Sequence, residues 1–244
     1  MKKVFIPFLS AAALVAVTAP ASAQEPSAAI TAAVADDARP EADRARDELR
    51  KPAQIVAFAG VEPGDIVAEL APGGGYYTRI LAKSVGPEGR VYALVPPFFA
   101  NRPGGLDEIN ALAAEYGNVS VVVAEFGDFT LEQPVDLVWT SENYHDFANG
   151  DIAATNTSVF KALKPGGIYF VEDHSAPGAG LTVTSTLHRI DPQSVIDQVV
   201  DAGFVLEAQS DVLANPDDPH DAGVRDPSIE GKTDKFALRF RKPE

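Results

Sequence analysis

From residue 65 onward the chain alternates between short apolar runs and segments whose apolar residues recur every three or four positions. DIVAEL (65–70), RVYALV (90–95), VSVVVAEF (119–126), VDLVWTSE (135–142) and IYFVEDH (168–174) are near-continuous apolar runs bounded by turn formers, the pattern of strands covered on both faces. Between them, YYTRILAKSV (76–85), GLDEINALAAEYG (105–117) and DIAATNTSVFKALKPGG (151–167) read as helices closed by glycine. DPQSVIDQVVDAGF (191–204) follows as a helix with Asp191 as N-cap and Pro192 at the first helical position. FVLEAQSDVL (204–213) and KFALRFRK (235–242) read as a closing strand pair joined by a long polar loop, residues 214–234. Strands alternating with helices predict an α/β three-layer sandwich around a mostly parallel sheet, and the adjacent pair at the end predicts an antiparallel edge.

Upstream the pattern changes. EADRARDELRKPAQIVAFAG (41–60) is helical, charged in its first half and apolar in its second, with Pro52 dividing or kinking it. Residues 24–40 are rich in Ala, Pro and Ser without a hydrophobic period and read as a disordered linker. Residues 1–23 have the order of a secretory signal: Lys2 and Lys3, an apolar stretch from Val4 to Val17, and Ala21-Ser22-Ala23 as a cleavage site. The apolar run is short for a membrane span and flanked by Pro7 and Pro20, so cleavage without stable membrane insertion is expected, leaving a domain over 41–244 in the periplasm or outside the cell.

Charge and composition narrow the partners. The formal charge is −15, and loss of residues 1–23, with their two lysines and no acids, makes it −17. Such a surface repels phosphate backbones, so nucleic acid is not the expected partner, whereas a neutral or cationic small molecule is compatible. The chain has no cysteine, which removes disulfides, thiolate metal sites and cysteine nucleophiles together.

The candidate chemistry starts at ELAPGGGYYT (69–78), where a strand runs into a helix through three glycines. In parallel sheets ligands bind at such strand ends, beside helix N-termini. A dinucleotide fingerprint needs glycine at 71, 73 and 76, and only Gly73 matches. The methyltransferase spacing, an acid followed by glycines two, four and six residues on, is met by Glu69, Gly73 and Gly75, with Ala71 in the first glycine place. A tight turn that binds nothing is the bland alternative.

ELAPGGGYYTRIL, GDF (127–129), ENYHD (142–146), LKPGG (163–167) and DPSIEGKTDKFALRFRK (226–242) together resemble the class I S-adenosylmethionine-dependent methyltransferases of bacteria, including a subgroup with signal peptides. The resemblance covers roughly residues 41–242, and GGGYYT with NYHD carries most of its specificity. It implies a Rossmann-like seven-stranded sheet, S-adenosylmethionine as cofactor and a small-molecule methyl acceptor. Cofactor contacts fall on Glu69, Ala71, Gly73, Gly74, Gly75 and Tyr77, and on Asp128, which matches an adenine-binding acid or else is a turn residue. Val95 stands where the family places an acid for the ribose hydroxyls, which a valine cannot accept. Asn101 or a backbone group is expected to substitute, or nucleotide binding is weaker.

Asn143, Tyr144 and His145, at the end of the fourth strand, are the catalytic candidates. Asn143-Tyr144 resembles half of an amine methyltransferase motif, and His145 is a candidate general base because an unperturbed imidazole titrates near neutrality. Glu172, Asp173 and His174 end the fifth strand and His188 follows. These histidines form a base cluster or, with Asp146, a divalent metal site; the spacing supports no metal, and none is expected. Arg44, Arg46, Asp47, Arg50 and Lys51 read as a solvated helix face, although the resemblance lays the N-terminal helices over the cofactor pocket, within reach of Arg46 or Arg50. His220 lies in a loop of turn formers. The rival to an enzyme is an exported, non-catalytic ligand-binding protein that retains the fold.

Overall fold

The computed structural model describes residues 25–244, so the expected signal segment lies outside the described residues. Helices α1 (Ala28–Val34), α2 (Glu41–Arg44), α3 (Asp47–Arg50) and α4 (Pro52–Ala59) precede β1 (Ile66–Leu70). Then come α5 (Tyr76–Val85), β2 (Arg90–Val95), α6 (Pro97–Ala100), α7 (Asp107–Tyr116), β3 (Val119–Val123) and β4 (Val135–Ser141). The chain closes with α8 (Tyr144–Phe147), α9 (Ile152–Ala162), β5 (Leu163–His174), α10 (Thr184–Leu187), α11 (Pro192–Asp201), β6 (Val205–Ser210) and β7 (Lys235–Arg241).

The seven strands lie in the order β3-β2-β1-β4-β5-β7-β6. Strands β1 to β5 pair in parallel; β7 runs antiparallel to both β5 and β6. The antiparallel pair therefore forms one edge, with β7 inserted and β6 outermost. Alternation along β1 sorts the core into two: Val67 points to the side packed by α1, α4, α5 and α7, while Ala68 and Leu70 point to the side packed by α9 and α11. That is the expected three-layer sandwich. The chain moves outward from β1 to β3 and returns at β4, so the crevice between the carboxyl ends of β1 and β4 is the topological switch point. Among the described residues no helix is long and apolar enough to cross a membrane.

Of the linker expected over 24–40, the described residues 25–40 are instead folded onto the domain. Ser27 caps α1 by accepting the Ile30 N–H at 3.3 Å, and Ile30 and Ala33 are buried against the core. Arg39, only 2% exposed, donates to the Val34 carbonyl at 2.7 Å and grips Asp47 bidentately at 2.7 and 2.8 Å. Two inward apolar residues and one buried ion pair hold the segment, too sparse a pattern to show as periodicity among alanines. Pro52 separates two helices as expected: it opens α4, and Lys51 before it takes a left-handed φ of 43°.

The long loop 214–234 is tied down by a buried charge. Arg189 is fully enclosed and donates to Asp218 at 2.7 and 3.2 Å, to the Ser175 carbonyl and to the Ala222 carbonyl. Asp218 in turn accepts the Asp234 and His220 N–H groups, and His220 is held to Asp234 at 2.9 Å. Arg189→Met strands the Asp218 carboxylate in the interior, and urea denaturation is expected to show a loss of about 3–5 kcal/mol.

Candidate active site

The bend after β1 is built from residues with left-handed backbone. Ala71 (φ 55°), Gly73 (φ 56°) and Gly75 (φ 83°) all lie in that region, which explains why glycine suits the first place, where alanine bears the cost of a Cβ. A Cβ on Gly73 would meet nothing within 4 Å, so its backbone faces open space. That space is a pair of joined cavities sharing Ala71, Pro72, Gly73 and Asn143. One, of about 300 Å³, is walled by Val95, Pro96, Phe99 and Ile109 with Glu108 from the first turn of α7. The other, of about 190 Å³, is polar, walled by Glu69, Arg46, Arg50, Tyr76, Tyr77 and Glu142. Together they reach the range of ligand sites, about 300–1,000 Å³.

Glu69, Ala71, Gly73, Gly74, Tyr77 and Asn143 thus lie on the crevice. Gly75 does not: it caps α5, and a Cβ there would sit 2.4 Å from Leu112 Cδ1, so its glycine serves helix packing. Asp128 also falls outside. A turn in which its N–H donates to the Glu125 carbonyl at 3.1 Å swings it into a separate hollow lined by the 127–134 loop and α9, so it is the turn residue and not a wall of the crevice.

The triplet after β4 is split. Asn143 Nδ2 donates to the Ser141 carbonyl at 2.6 Å and to the Ala71 carbonyl at 3.4 Å, pinning it to the crevice edge. Tyr144 is fully buried, its hydroxyl held by Asn156 at 2.9 Å and Gln198 at 3.3 Å, so it braces α9 and α11 and offers nothing to a ligand. His145 walls neither cavity; Asp173 holds its Nδ1 at 2.7 Å and its backbone N–H at 2.7 Å. One turn of helix α8 rotates successive side chains about 100° apart, which separates what the sequence places side by side.

The N-terminal helices do lie across the crevice. Arg50 pairs with Glu142 and stands 4.7 Å from the Tyr76 ring centre, and the Tyr76 hydroxyl donates to Asp47 at 2.7 Å. Glu142, held at φ 58°, also accepts from Lys235 Nζ. Burial opposes its charge, but Lys235 and Arg50 more than offset this and hold its pKa down at about 2. Beneath it, burial and the Glu142 charge push Glu172 upward, and burial drives His174, bonded to Thr233 at 2.8 Å, down to about 4. Burial likewise works against a charged His145, yet Asp173 lifts it above the ordinary histidine value.

Two features of the site carry little or no local signal in the sequence. Glu108 faces the cavity beside Gly74, whose added Cβ would lie 3.3 Å from Glu108 Oε2, whereas Asn101, the expected substitute at the ribose position, is exposed and walls neither cavity. Nothing local marks Glu108; its place at the start of an acidic helix turn is the only signal. Arg46 and Arg50, left between a solvated face and the pocket, both wall the crevice.

No protein-family model matches the sequence. The chain is 30% identical over 128 residues to a protein-L-isoaspartate O-methyltransferase of Ignicoccus hospitalis, a match spanning 52% of this chain and 55% of that relative. The chain therefore spans about half the length of the curated relative it matches. Among solved structures it is similar to an S-adenosylmethionine-dependent methyltransferase from Aquifex aeolicus, with a TM-score of 0.59, 19% identity and coverage of 81% of this chain and 92% of that one. It is also similar to a glycopeptide N-methyltransferase solved with S-adenosylmethionine, with a TM-score of 0.56, 18% identity and coverage of 82% and 87%. The fold is thus that of the Rossmann-like class I methyltransferases.

Glu69 gives the site a titration that can be read directly. It is 3% exposed, and burial raises its pKa to about 7, against the opposing pull of the Thr78 hydroxyl at 2.5 Å. The folded state keeps a proton that the unfolded chain releases near 4.5, so this group's contribution to stability falls as pH rises from about 4.5 to about 7. Glu69→Gln, which keeps an acceptor for Thr78, is expected to gain up to about 3 kcal/mol relative to the parent on moving from about pH 5 to about pH 8, measured by urea denaturation.

Proposed function

We propose that this protein transfers the methyl group of S-adenosylmethionine to a small molecule held at the crevice between the β1 bend and the end of β4. The observation that carries this reading is the bare main chain at Gly73, open to a cavity on either side. Such a cradle suits a nucleoside with no phosphate to bind. Val95, Phe99 and Ile109 would cover its apolar faces, and the Glu108 carboxylate would accept the ribose hydroxyls in the place of the acid that Val95 cannot supply. The polar cavity would take the methionine end, with Glu69 and Tyr77 against it.

When bound, S-adenosylmethionine supplies an already activated methyl, so the protein's task is alignment and exclusion of water. Asn143 and the main-chain carbonyls beside it are the polar groups that would orient an acceptor at the crevice edge. His145 lies outside the cavities, and no base role is assigned to it. The signal-like order of residues 1–23 supports a periplasmic or secreted location for this chemistry. A second reading, transfer to an isoaspartate carboxylate in a protein, follows the partial relative alone, since Arg46, the half-exposed cation on the crevice wall, is already paired with Asp43 at 2.7 Å.

Calorimetry on residues 24–244 with S-adenosylmethionine and S-adenosylhomocysteine tests the cofactor site. Micromolar binding is expected. Gly73→Ala, whose methyl would enter the cavity and meet no protein atom within 4 Å, at the backbone cost of a Cβ at φ 56°, is expected to weaken it more than tenfold with the circular dichroism unchanged. Glu108→Ala removes an acceptor from the ribose and is expected to cost about 1.5–3 kcal/mol of binding, tenfold or more in Kd. Absence of binding by the parent protein overturns the proposal. Binding without conversion of S-adenosylmethionine to S-adenosylhomocysteine in the presence of any amine, hydroxyl or isoaspartyl-peptide acceptor would favour the non-catalytic binding protein.

A further inference from the structure

Behind the crevice, α8 and the end of α10 bring two imidazoles and a carboxylate to one point. Ligand atoms of His145, Asp146 and His188 all lie within 4.8 Å of one another. His145 Nε2 is 3.5 Å from Asp146 Oδ1, and His188 Nδ1 is 3.4 Å from the same oxygen. A zinc ion about 2.0–2.2 Å from each of its nitrogen and oxygen ligands sets tetrahedral ligands about 3.4 Å apart. Two of the three edges therefore already have the length that one shared cation demands.

The surroundings match as well. His145 keeps Nε2 for the cluster because Asp173, fully buried, holds Nδ1 at 2.7 Å. A carboxylate on the far nitrogen of an imidazole fixes both ring orientation and tautomer, as it does for metal-ligating histidines. Asp173 is itself fixed: it accepts the backbone N–H groups of His145 and His174, each at 2.7 Å. His188 ends α10 with a left-handed φ of 55°, a conformation costly for a residue with a side chain and one that turns its ring toward Asp146. The edges of the two rings meet, with centroids 5.3 Å apart and planes at 80°. Asp146 and His188 are both open to solvent, so an ion has a way in and room for water as further ligands.

We propose that His145, Asp146 and His188 bind one divalent transition-metal cation of the zinc or cobalt class, with Asp173 as the positioning residue. Two imidazoles and one carboxylate select this class over magnesium or calcium, which favour oxygen-only shells. The site stands apart from the walls of the crevice, so the proposal does not depend on methyl transfer.

Dialysed protein titrated at about pH 7.5 with cobalt(II) chloride, followed by visible absorption, and with zinc chloride, followed by calorimetry, provides the test. One equivalent of either ion is expected to bind at micromolar concentration, with cobalt giving the visible bands of nitrogen ligation. His188→Ala and Asp146→Asn, both at solvent-open positions, are each expected to weaken binding more than tenfold while the far-ultraviolet circular dichroism stays the same. His220→Ala, at a histidine held elsewhere by Asp234, is expected to leave binding unchanged. No stoichiometric binding by the parent protein, or binding that survives His188→Ala and Asp146→Asn, overturns the proposal.

Discussion

Between β1 and α5 the main chain must turn sharply without laying a side chain over the crevice, and it does so by holding Ala71, Gly73 and Gly75 in the left-handed region. The three serve different ends. Ala71 starts the turn and accepts a hydrogen bond from Asn143, which joins the ends of β1 and β4 across the switch point. Gly73 leaves the backbone bare to the cavities. Gly75 lets α5 begin against Leu112, so that Tyr76 and Tyr77 on its first turn reach the N-terminal helices and Trp139. The polar wall, the apolar wall and the packing of α5 all follow from this one bend.

Charge pairing then closes the site from the other side. Arg50 and Lys235, from opposite ends of the chain, meet on Glu142 at the end of β4. Each of these groups would be costly alone in so enclosed a place, and together they hold the N-terminal helices, the crevice and β7 in register. Asp47 extends the arrangement outward to Arg39 and Tyr76, which fastens α1 and the segment after it to the same wall. The acidic surface predicted from composition is thus interrupted at the crevice by a small set of paired cations, a local feature that net charge conceals.

How legible the site was depended on whether its residues are contiguous. Glu69, Gly73 and Asn143 belong to strand ends, where period and position already say which way the chain faces, and they are on the crevice. Gly75, Tyr144 and Asp128 sit one or two residues further into a helix or turn, where a single dihedral decides between ligand, core and solvent, and they are elsewhere. Glu108 and the meeting of His145, Asp146 and His188 depend on contacts between segments distant in the chain, which no local pattern encodes.

By itself the amino-acid order determined the seven strands, the main helices between them, the parallel sheet with its antiparallel pair and the end of the sheet where the crevice opens. Those are consequences of local periodicity and turn chemistry, repeated often enough along the chain to leave one architecture. Only the tertiary structure decided that residues 28–34 fold onto the domain, that a glutamate from α7 lines the same cavity as Val95, and that Asp173 holds His145 outside the crevice and beside His188. Each of these is set by the packing of one element on another, an energy that depends on distance in space and has no signature in distance along the chain.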